Sequence, residues 1–444
     1  MSTLRFELTN AAAAATAPRA GKLTVSRPGS QEEGGAETKI ELETPTYFKY
    51  TRHGLQPHLV NEVARELDNM PKCTRVQLEE FFEDNECSFS QPVQDLRKFI
   101  DLPSDEVMLL DVQDPTVSKR TAKAGNGYMV VESEGGTRRL TPETFAKLVS
   151  RLHPDIVIPL ADYVEEPLPS LTQGKRISKS VGRSTKWLDE YLAKAAKDGP
   201  AVFAPVMGSR SAELRKIAAE KLSCAKDIAG YAFNDVCLDV PFAEKLQLAQ
   251  GSMQLLDQSK PRYMLGASAP DAAVRAILGG VDLVDSSYPY AVTEQGYAST
   301  YTFLAADASD GAAVAGARLD LWQESMFNDF GPLVKGCTCF TCRNHHRSYV
   351  HHLLMTKEML STVLLQIHNM HWYQRFFEDV RGSLARGTLA ADAQGFLDRY
   401  CPSNGSVAGG QAEQAFDELD TLAKQECSPT TKIQRKRHAE DTIQ

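Results

Sequence analysis

The sequence predicts an α/β fold, a (β/α)8 TIM barrel with an N-terminal antiparallel β extension and an inserted or C-terminal helical subdomain. The length of 444 residues suits about three ordinary domains or one large barrel with additions. Between about residues 45 and 330, compact apolar runs alternate with amphipathic stretches of helix length. Repeated β–helix–β units imply a parallel sheet, and this length favours a closed barrel over an open sheet.

Composition excludes several classes of protein. Hydrophobic residues make up 42% and charged residues 24%, as in globular proteins, and no apolar run is long enough to cross a bilayer. The 49 Lys and Arg against 58 Asp and Glu give a net charge of −9, so contact with nucleic acid requires a local basic patch. The first residues lack the pattern of a secretory or mitochondrial leader, which predicts a cytoplasmic protein.

Residues 1–44 are predicted to form the β extension. Short alternating segments indicate hairpin strands at 4–8, 22–25 and 39–43. The Ala-rich and Gly-rich stretches between them are predicted loops, within a poorly ordered segment over 10–36.

Residues 45–330 are predicted to form the barrel. Apolar runs indicate buried strands at 107–112, 156–160, 201–206, 228–233, 262–265 and 281–284. Amphipathic patterns indicate helices within 141–152, 180–196, 211–225 and 270–278.

A cysteine array gives the strongest chemical signal. Cys337, Cys339 and Cys342 form a Cys-x-Cys-x-x-Cys pattern, in which three thiolates converge on one metal ion. The fourth ligand is expected to be His368, on a helix predicted within 348–377, and spacing alone leaves His345 and His346 as alternatives. Four protein ligands without an open position make a closed, structural zinc site. The competing interpretation is three buried thiols without a metal.

Residues 331–400 are therefore predicted to form the zinc-binding subdomain and closing helix. Tyr373, Phe376 and Phe377 follow His368 on the same predicted helix, where they either pack in the core or anchor an interface. Residues 401–444 are predicted to be a disordered tail, with a basic segment at 432–437.

Two aspartates follow predicted barrel strands. Asp285 ends the run at 281–284, and the carboxyl end of a barrel strand is where such enzymes place nucleophiles and bases. Asp162 comes two residues after the run at 156–160. On spacing alone, a surface or capping role is the commoner outcome for Asp285, and Asp162 could be a helix N-cap.

Together these motifs resemble the tRNA-guanine transglycosylase family over roughly residues 4–380. The cysteine array, followed after 25 residues by His368-Asn369, is similar to that family's zinc-binding signature, and the segments 57–59 and 280–285 match in order. Members are (β/α)8 barrels that exchange guanine at the wobble position of certain tRNAs for a deazaguanine, which is queuine in eukaryotes. The resemblance implies one zinc ion, a nucleophile position at Asp285 and a purine-reading position at Asp162.

The surroundings of these aspartates depart from the family's catalytic pattern. Catalytic members carry two arginines after the nucleophile, where this chain has Ala291 and Glu294. Their double-glycine loop has no counterpart within 68–92, and their purine-binding loop is replaced by 229–235, which puts Tyr231 where backbone should approach the base.

The resemblance is therefore to the family's accessory members, which pair with a catalytic subunit. It implies a non-catalytic subunit of a heterodimer that inserts queuine into tRNAs with GUN anticodons, so that this chain meets tRNA through the complex. Asp285 would then be unused for catalysis. The resemblance also implies peripheral attachment to the mitochondrial outer membrane as a further location. The alternative is a self-sufficient base-exchange enzyme that uses Asp285. A third interpretation, a zinc-dependent RNA- or protein-binding module, rests on the cysteine array alone.

Overall fold

The structure, a computed structural model, describes residues 3–10, 15–28, 38–67, 69–83, 86–87, 95–114, 116, 124–133, 136–164, 170–195, 199–234, 240–304 and 316–401. The predicted basic segment at 432–437 and parts of the predicted N-terminal loops lie outside these residues. The strands are β1 (Thr3–Leu8), β2 (Gly21–Arg27), β3 (Thr38–Thr44), β4 (Thr46–Tyr50), β5 (Cys73–Gln77), β6 (Phe82–Glu83), β7 (Glu86–Cys87), β8 (Val107–Asp111), β9 (Met129–Ser133), β10 (Gly136–Leu140), β11 (Ile156–Val157), β12 (Ala201–Pro205), β13 (Gly230–Phe233), β14 (Arg262–Met264), β15 (Leu283–Asp285), β16 (Tyr297–Ser299) and β17 (Arg318–Asp320).

Helices follow most of the barrel strands and continue beyond the barrel. They are α1 (Asn61–Arg65), α2 (Leu96–Phe99), α3 (Pro142–Leu152), α4 (Ser170–Lys194), α5 (Ala212–Ser223), α6 (Phe242–Met253), α7 (Pro270–Leu278), α8 (Ser287–Glu294), α9 (Phe340–Asn344), α10 (Arg347–Met355), α11 (Leu360–Arg386) and α12 (Leu389–Tyr400). No described helix is both long enough and apolar enough to cross a membrane.

Eight parallel strands close the barrel in the order β4, β5, β8, β11, β12, β13, β14, β15, and β15 pairs back with β4. Side chains alternate between the interior and the surrounding helices, as the strand period of two requires. The interior cluster contains Phe48, Cys73, Leu109, Phe203, Tyr263 and Leu283. Their neighbours Tyr47, Met108 and Val284 belong instead to the outer cluster, which packs against the helices. The predicted (β/α)8 fold is confirmed.

The N-terminal sheet closes one end of this barrel. Strands β1, β2 and β3 form an antiparallel sheet, and β3 runs almost directly into β4, so the sheet lies at the amino-terminal ends of the barrel strands. Leu23, Val25, Ile40 and Leu42 are buried in the same cluster as the barrel interior. The barrel mouth therefore lies at the opposite, carboxyl-terminal ends of the strands.

A buried ion pair ties this N-terminal region to the barrel. Arg19 Nε lies 3.1 Å from Asp282 Oδ1, and each residue is only 1% exposed. Asp282 Oδ2 also accepts the backbone N–H of Arg262 at 2.8 Å. Burial raises the pKa of Asp282 to about 6, while the charge of Arg19 opposes that rise. Losing Arg19 would leave a buried carboxylate without its cation.

We expect Arg19→Met to lower the free energy of unfolding by about 3–5 kcal/mol, because one partner of a buried ion pair is removed. The measurement is urea denaturation followed by circular dichroism. Arg5→Met is the matched control, since Arg5 pairs with Glu7 on the exposed surface of β1 and should change stability by less than about 0.5 kcal/mol. Equal stability of the two variants would contradict this account.

Candidate functional site

The structure brings Cys337, Cys339, Cys342 and His368 together. Their ligand atoms all lie within 4.8 Å of one another. His368 Nδ1 is 3.8, 3.5 and 3.4 Å from the Sγ atoms of Cys337, Cys339 and Cys342. A tetrahedral metal with bonds of about 2.3 Å to sulfur and about 2.1 Å to nitrogen holds such atoms about 3.6 Å apart. The donor set and its spacing therefore fit a closed four-ligand metal site.

Local structure around α9 positions the cysteines. Gly336 has a φ of +80°, which admits the turn before Cys337. Cys339 caps the N-terminus of α9, and its Sγ accepts the backbone N–H of Cys342 at 3.3 Å. Thr341 Oγ1 donates to the carbonyl of Leu364 on α11 at 2.7 Å. This bond holds the cysteine segment against the helix that supplies the histidine.

A second layer of hydrogen bonds orients His368. Its Nε2 lies 2.9 Å from the carbonyl oxygen of Ser299 on β16, so Nε2–H donates there and Nδ1 is left for a metal. The adjacent Asn369 accepts the N–H of Ser299 at 2.8 Å and donates to Thr293 Oγ1 at 2.9 Å. These bonds fix the ring of His368 between β16 and the cysteines.

The alternative ligands, His345 and His346, lie outside this cluster and make other contacts. His346 Nδ1 accepts the backbone N–H of Tyr349 at 3.1 Å as the N-cap of α10, and His345 stacks on the Tyr349 ring with centroids 5.1 Å apart. The prediction of one helix within 348–377 is wrong, because α10 ends at Met355 and a new helix, α11, begins at Leu360. Met359, which directly precedes α11, is 84% exposed.

Helix α11 also reaches the barrel mouth. Tyr373, Phe376 and Phe377 are buried in the outer cluster, so these residues pack in the core. Tyr373 Oη donates to the carbonyl of Ser268 at 2.7 Å and lies 3.2 Å from the carbonyl of Asp285. The helix that carries His368 therefore also braces the end of β15.

Asp285 ends β15 at the barrel mouth and is fully buried. Its Oδ1 accepts the N–H of Gly266 at 2.8 Å, and its Oδ2 accepts the hydroxyl of Ser287 at 2.6 Å. Burial raises the pKa of Asp285 above the ordinary range, and the hydrogen bonds from Ser287 and Gly266 partly offset that rise. Both carboxylate oxygens are occupied by the protein itself.

Asp162 is also occupied. Arg176, on α4, binds both of its oxygens at 2.8 and 2.6 Å, and Arg183 adds a contact of 3.0 Å. Asp162 is 1% exposed. This bidentate ion pair means that both carboxylate oxygens are already hydrogen-bonded on the side that faces α4.

Arg75 fills the barrel interior beneath the mouth. Its side chain is fully buried, Nη2 lies 2.9 Å from Asp111 Oδ2, and the same nitrogen donates to the carbonyl of Gln113. Asn234 Nδ2 binds the same Asp111 oxygen at 3.0 Å. A guanidinium therefore stands inside the barrel, where its charge is balanced by Asp111.

Arg75 and Arg176 were not predicted to lie at the barrel mouth, and the predicted position of Tyr231 is wrong. Tyr231 points out of the barrel into the outer cluster, where its hydroxyl accepts the N–H of Asp257 at 3.2 Å, because residues 232 and 234 are the inward-facing positions of that segment. Arg75 lies two residues after Cys73, so the strand period of two places both side chains on the inward face of β5. A lone arginine in a short strand does not by itself reveal that it faces inward.

Comparison with known proteins places the chain in a family. The family model described as queuine tRNA-ribosyltransferase matches residues 15–402. The chain belongs to this family. Among curated relatives, the queuine tRNA-ribosyltransferase accessory subunit 2 of Xenopus laevis is 31% identical over 387 residues, covering 80% of this chain and 92% of the relative.

Other relatives carry the same name. The accessory subunit 2 of Culex quinquefasciatus is 30% identical over 368 residues, covering 79% of this chain and 83% of that protein. The human accessory subunit 2 is 29% identical over 385 residues, covering 79% and 91%. The resemblance to accessory members of the queuine tRNA-ribosyltransferase family is confirmed.

We expect Cys342→Ser to lower metal affinity by more than about tenfold, since even second-layer changes cost that much at metal sites. Metal content by atomic spectroscopy measures the loss, and the thiolate charge-transfer band of the Co²⁺-substituted protein should be weaker in the variant, where two of the three thiolates remain. Cys224→Ser is the control, because Cys224 is exposed and lies outside the cluster. Equal metal content in both variants would contradict the assignment of Cys342 as a ligand.

Proposed function

We propose that this chain is the non-catalytic subunit of a queuine tRNA-ribosyltransferase. It pairs with a catalytic subunit and supports exchange of guanine for queuine at wobble position 34 of tRNAs with GUN anticodons. The relatives' shared name, accessory subunit 2, supports the role. The observation that carries the proposal is the state of Asp285, which is buried and bound through both oxygens.

A nucleophilic carboxylate needs an oxygen free to reach the ribose carbon at bonding distance. In this chain Asp285 has no exposed surface, its Oδ2 accepts both the N–H and the hydroxyl of Ser287, and its Oδ1 accepts the N–H of Gly266. Attack would require opening a path to this buried carboxylate, and hydrogen bonds already lower the nucleophilicity of both oxygens. Its retention is explained without catalysis, since a buried carboxylate that accepts these bonds stabilises the loop after β14 and the start of α8.

The position that the resemblance assigns to purine reading supports the same conclusion. A purine edge with adjacent N–H donors and a guanidinium present similar paired donors to a carboxylate. Arg176 already makes that paired contact with Asp162, and Arg183 binds the same carboxylate. A base would have to displace two cations to bind Asp162.

The barrel mouth of this chain also lacks the two arginines that catalytic members carry at the positions of Ala291 and Glu294. Glu294, where catalytic members have arginine, binds His58 Nε2 at 2.8 Å, and Ala291 is buried in α8. An acidic side chain here repels a tRNA phosphate. These features favour an accessory role over the self-sufficient enzyme.

We further propose that the metal is one structural zinc ion, held by Cys337, Cys339, Cys342 and His368. Three thiolates and one imidazole are typical of structural zinc sites, whereas catalytic sites keep an open position for water. Bound zinc would fix α9 against α11 and thereby stabilise the subdomain. It would supply no chemistry to base exchange.

The surface around this metal centre is proposed to face the catalytic subunit. Of the eleven exposed large apolar side chains among the described residues, six fall within 327–360, the segment that carries the cysteines, and they are Phe327, Phe330, Phe340, Met355, Met359 and Leu360. Apolar side chains gathered on an exposed surface are typical of protein interfaces, where aromatic residues and methionine are enriched. A partner that covers them would remove this apolar area from water.

The exchange assay tests the accessory role. We expect incorporation of labelled guanine into tRNA by the mixture of this chain with its catalytic subunit, and none by this chain alone. Asp285→Asn, which keeps the shape of the buried side chain, should leave the mixture's rate within about twofold of wild type, because no nucleophile is lost. Activity of this chain alone that Asp285→Asn abolishes would establish the self-sufficient enzyme instead.

The partner surface has its own test. We expect the double variant Phe327→Glu/Phe330→Glu to weaken the heterodimer by more than about tenfold, because two charges would be buried against the partner. Sedimentation velocity of the mixed subunits measures the dissociation constant. Ile217→Glu is the control, since Ile217 is 49% exposed on α5, outside this surface. Undiminished assembly of the double variant would place the interface elsewhere.

A further inference from the structure

Helix α4 and the residues just before it carry an unusual charge pattern. From residue 167 to residue 188 the sequence contains five Lys or Arg and no Asp or Glu, in a chain whose net charge is −9. The five cations are Lys175, Arg176, Lys179, Arg183 and Lys186. Such a stretch is the local basic patch that an acidic chain needs for contact with a polyanion.

The helical period divides these cations into two groups. Arg176 and Arg183, seven residues apart, turn inward and bind Asp162. Lys175, Lys179 and Lys186 lie on the adjoining face, and all three are exposed. At 1.5 Å per residue this lysine row spans about 16 Å along the helix.

The lysines at the two ends of α4 differ in their ion pairing. Near its C-terminus, Lys186 lies 3.6 Å from Glu190 and Lys194 lies 3.3 Å from Glu143. Lys175 and Lys179 form no ion pair with any residue that the structure describes. Glu165 and Glu166, which precede the helix in sequence, lie outside that part of the chain. The N-terminal half of α4 therefore presents two lysines whose charge is not neutralised by the described structure.

The contacts of Arg176 and Arg183 with Asp162 show where the N-terminal half of α4 lies relative to the barrel. Asp162 follows β11 at the carboxyl end of the barrel, and the residues that bind it, Arg176 and Arg183, lie on the first two-thirds of α4. Lys175 and Lys179 therefore stand at the rim of the barrel mouth, on the same end of the barrel as Asp285.

We infer that the exposed face of the N-terminal half of α4, through Lys175 and Lys179, binds the phosphate backbone of tRNA. The inference rests on the proposed function, because it takes tRNA as the polyanion that the heterodimer meets. Lysine is a point charge suited to phosphate, and contacts of this kind position a nucleic acid without reading its sequence.

The neighbours of these lysines favour RNA over an acidic protein. The exposed residues beside them are Gly174, Ser178 and Gly182, and nothing lies within 4 Å of where a Cβ would stand on either glycine. Protein interfaces are centred on aromatic and large apolar anchors, as around the metal centre, whereas this face presents none in its described part. Small side chains instead let a phosphate backbone approach the lysines closely.

The experiment compares two double variants in the heterodimer. Lys175→Ala/Lys179→Ala removes the proposed contacts. Lys194→Ala/Lys221→Ala removes two exposed lysines that pair with Glu143 and Asp189. Both double variants change the net charge equally, and alanine preserves the helix. Binding is measured by fluorescence anisotropy against a tRNA transcript with a GUN anticodon and a transcript with another anticodon, over a range of salt concentrations.

We expect the first variant to bind both transcripts about tenfold more weakly at 0.1 M salt. The slope of log K against log salt should fall in magnitude by about 2, one for each lost phosphate contact. The control variant should match wild type. Unchanged affinity and slope in the first variant, or an equal loss in the control, would overturn the inference.

Two further outcomes separate this inference from the proposed function. If the first variant weakens the heterodimer but leaves tRNA binding by the assembled complex unchanged, the lysines face the protein partner and the inference is wrong. If this chain forms no complex with the catalytic subunit, the proposed function fails. In that case the same titrations on this chain alone decide whether Lys175 and Lys179 bind RNA.

Discussion

The packing of α11 against the end of the barrel is the constraint on which most of the structure depends. One helix supplies His368 to the cysteine cluster, Asn369 to the backbone of β16 and Tyr373 to the carbonyl groups beside Asp285. Each of these polar side chains is buried, so each must be paired. The cysteine cluster and the barrel mouth are consequently held in one arrangement by the same helix.

Pairing of buried charge also governs the two aspartates at the barrel mouth. A carboxylate inside a barrel mouth is costly unless water, substrate or a protein group satisfies it. Here Arg176 and Arg183 satisfy Asp162, and Gly266 and Ser287 satisfy Asp285. Both carboxylates thereby stabilise the fold.

Sequence patterns predicted the barrel strands from β8 onward and most of the helices between them, because those strands are apolar on both faces. They missed β4 and β5, which carry charged residues on short strands. Lys49 pairs with Glu106 at 2.6 Å, and Arg75 lies inside the barrel against Asp111. A strand that buries an ion pair does not show the apolar run by which buried strands are recognised.

The sequence by itself determined the fold class, the family and the set of cysteines, because periodicity and ligand spacing are local properties of the chain. Only the tertiary structure brought His368, rather than His345 or His346, beside the cysteines, and it placed Arg75 inside the barrel and Arg176 on Asp162. These pairings join residues on different elements, and no local pattern encodes which buried charge meets which. Whether the mouth is open or filled is decided by those distant pairings.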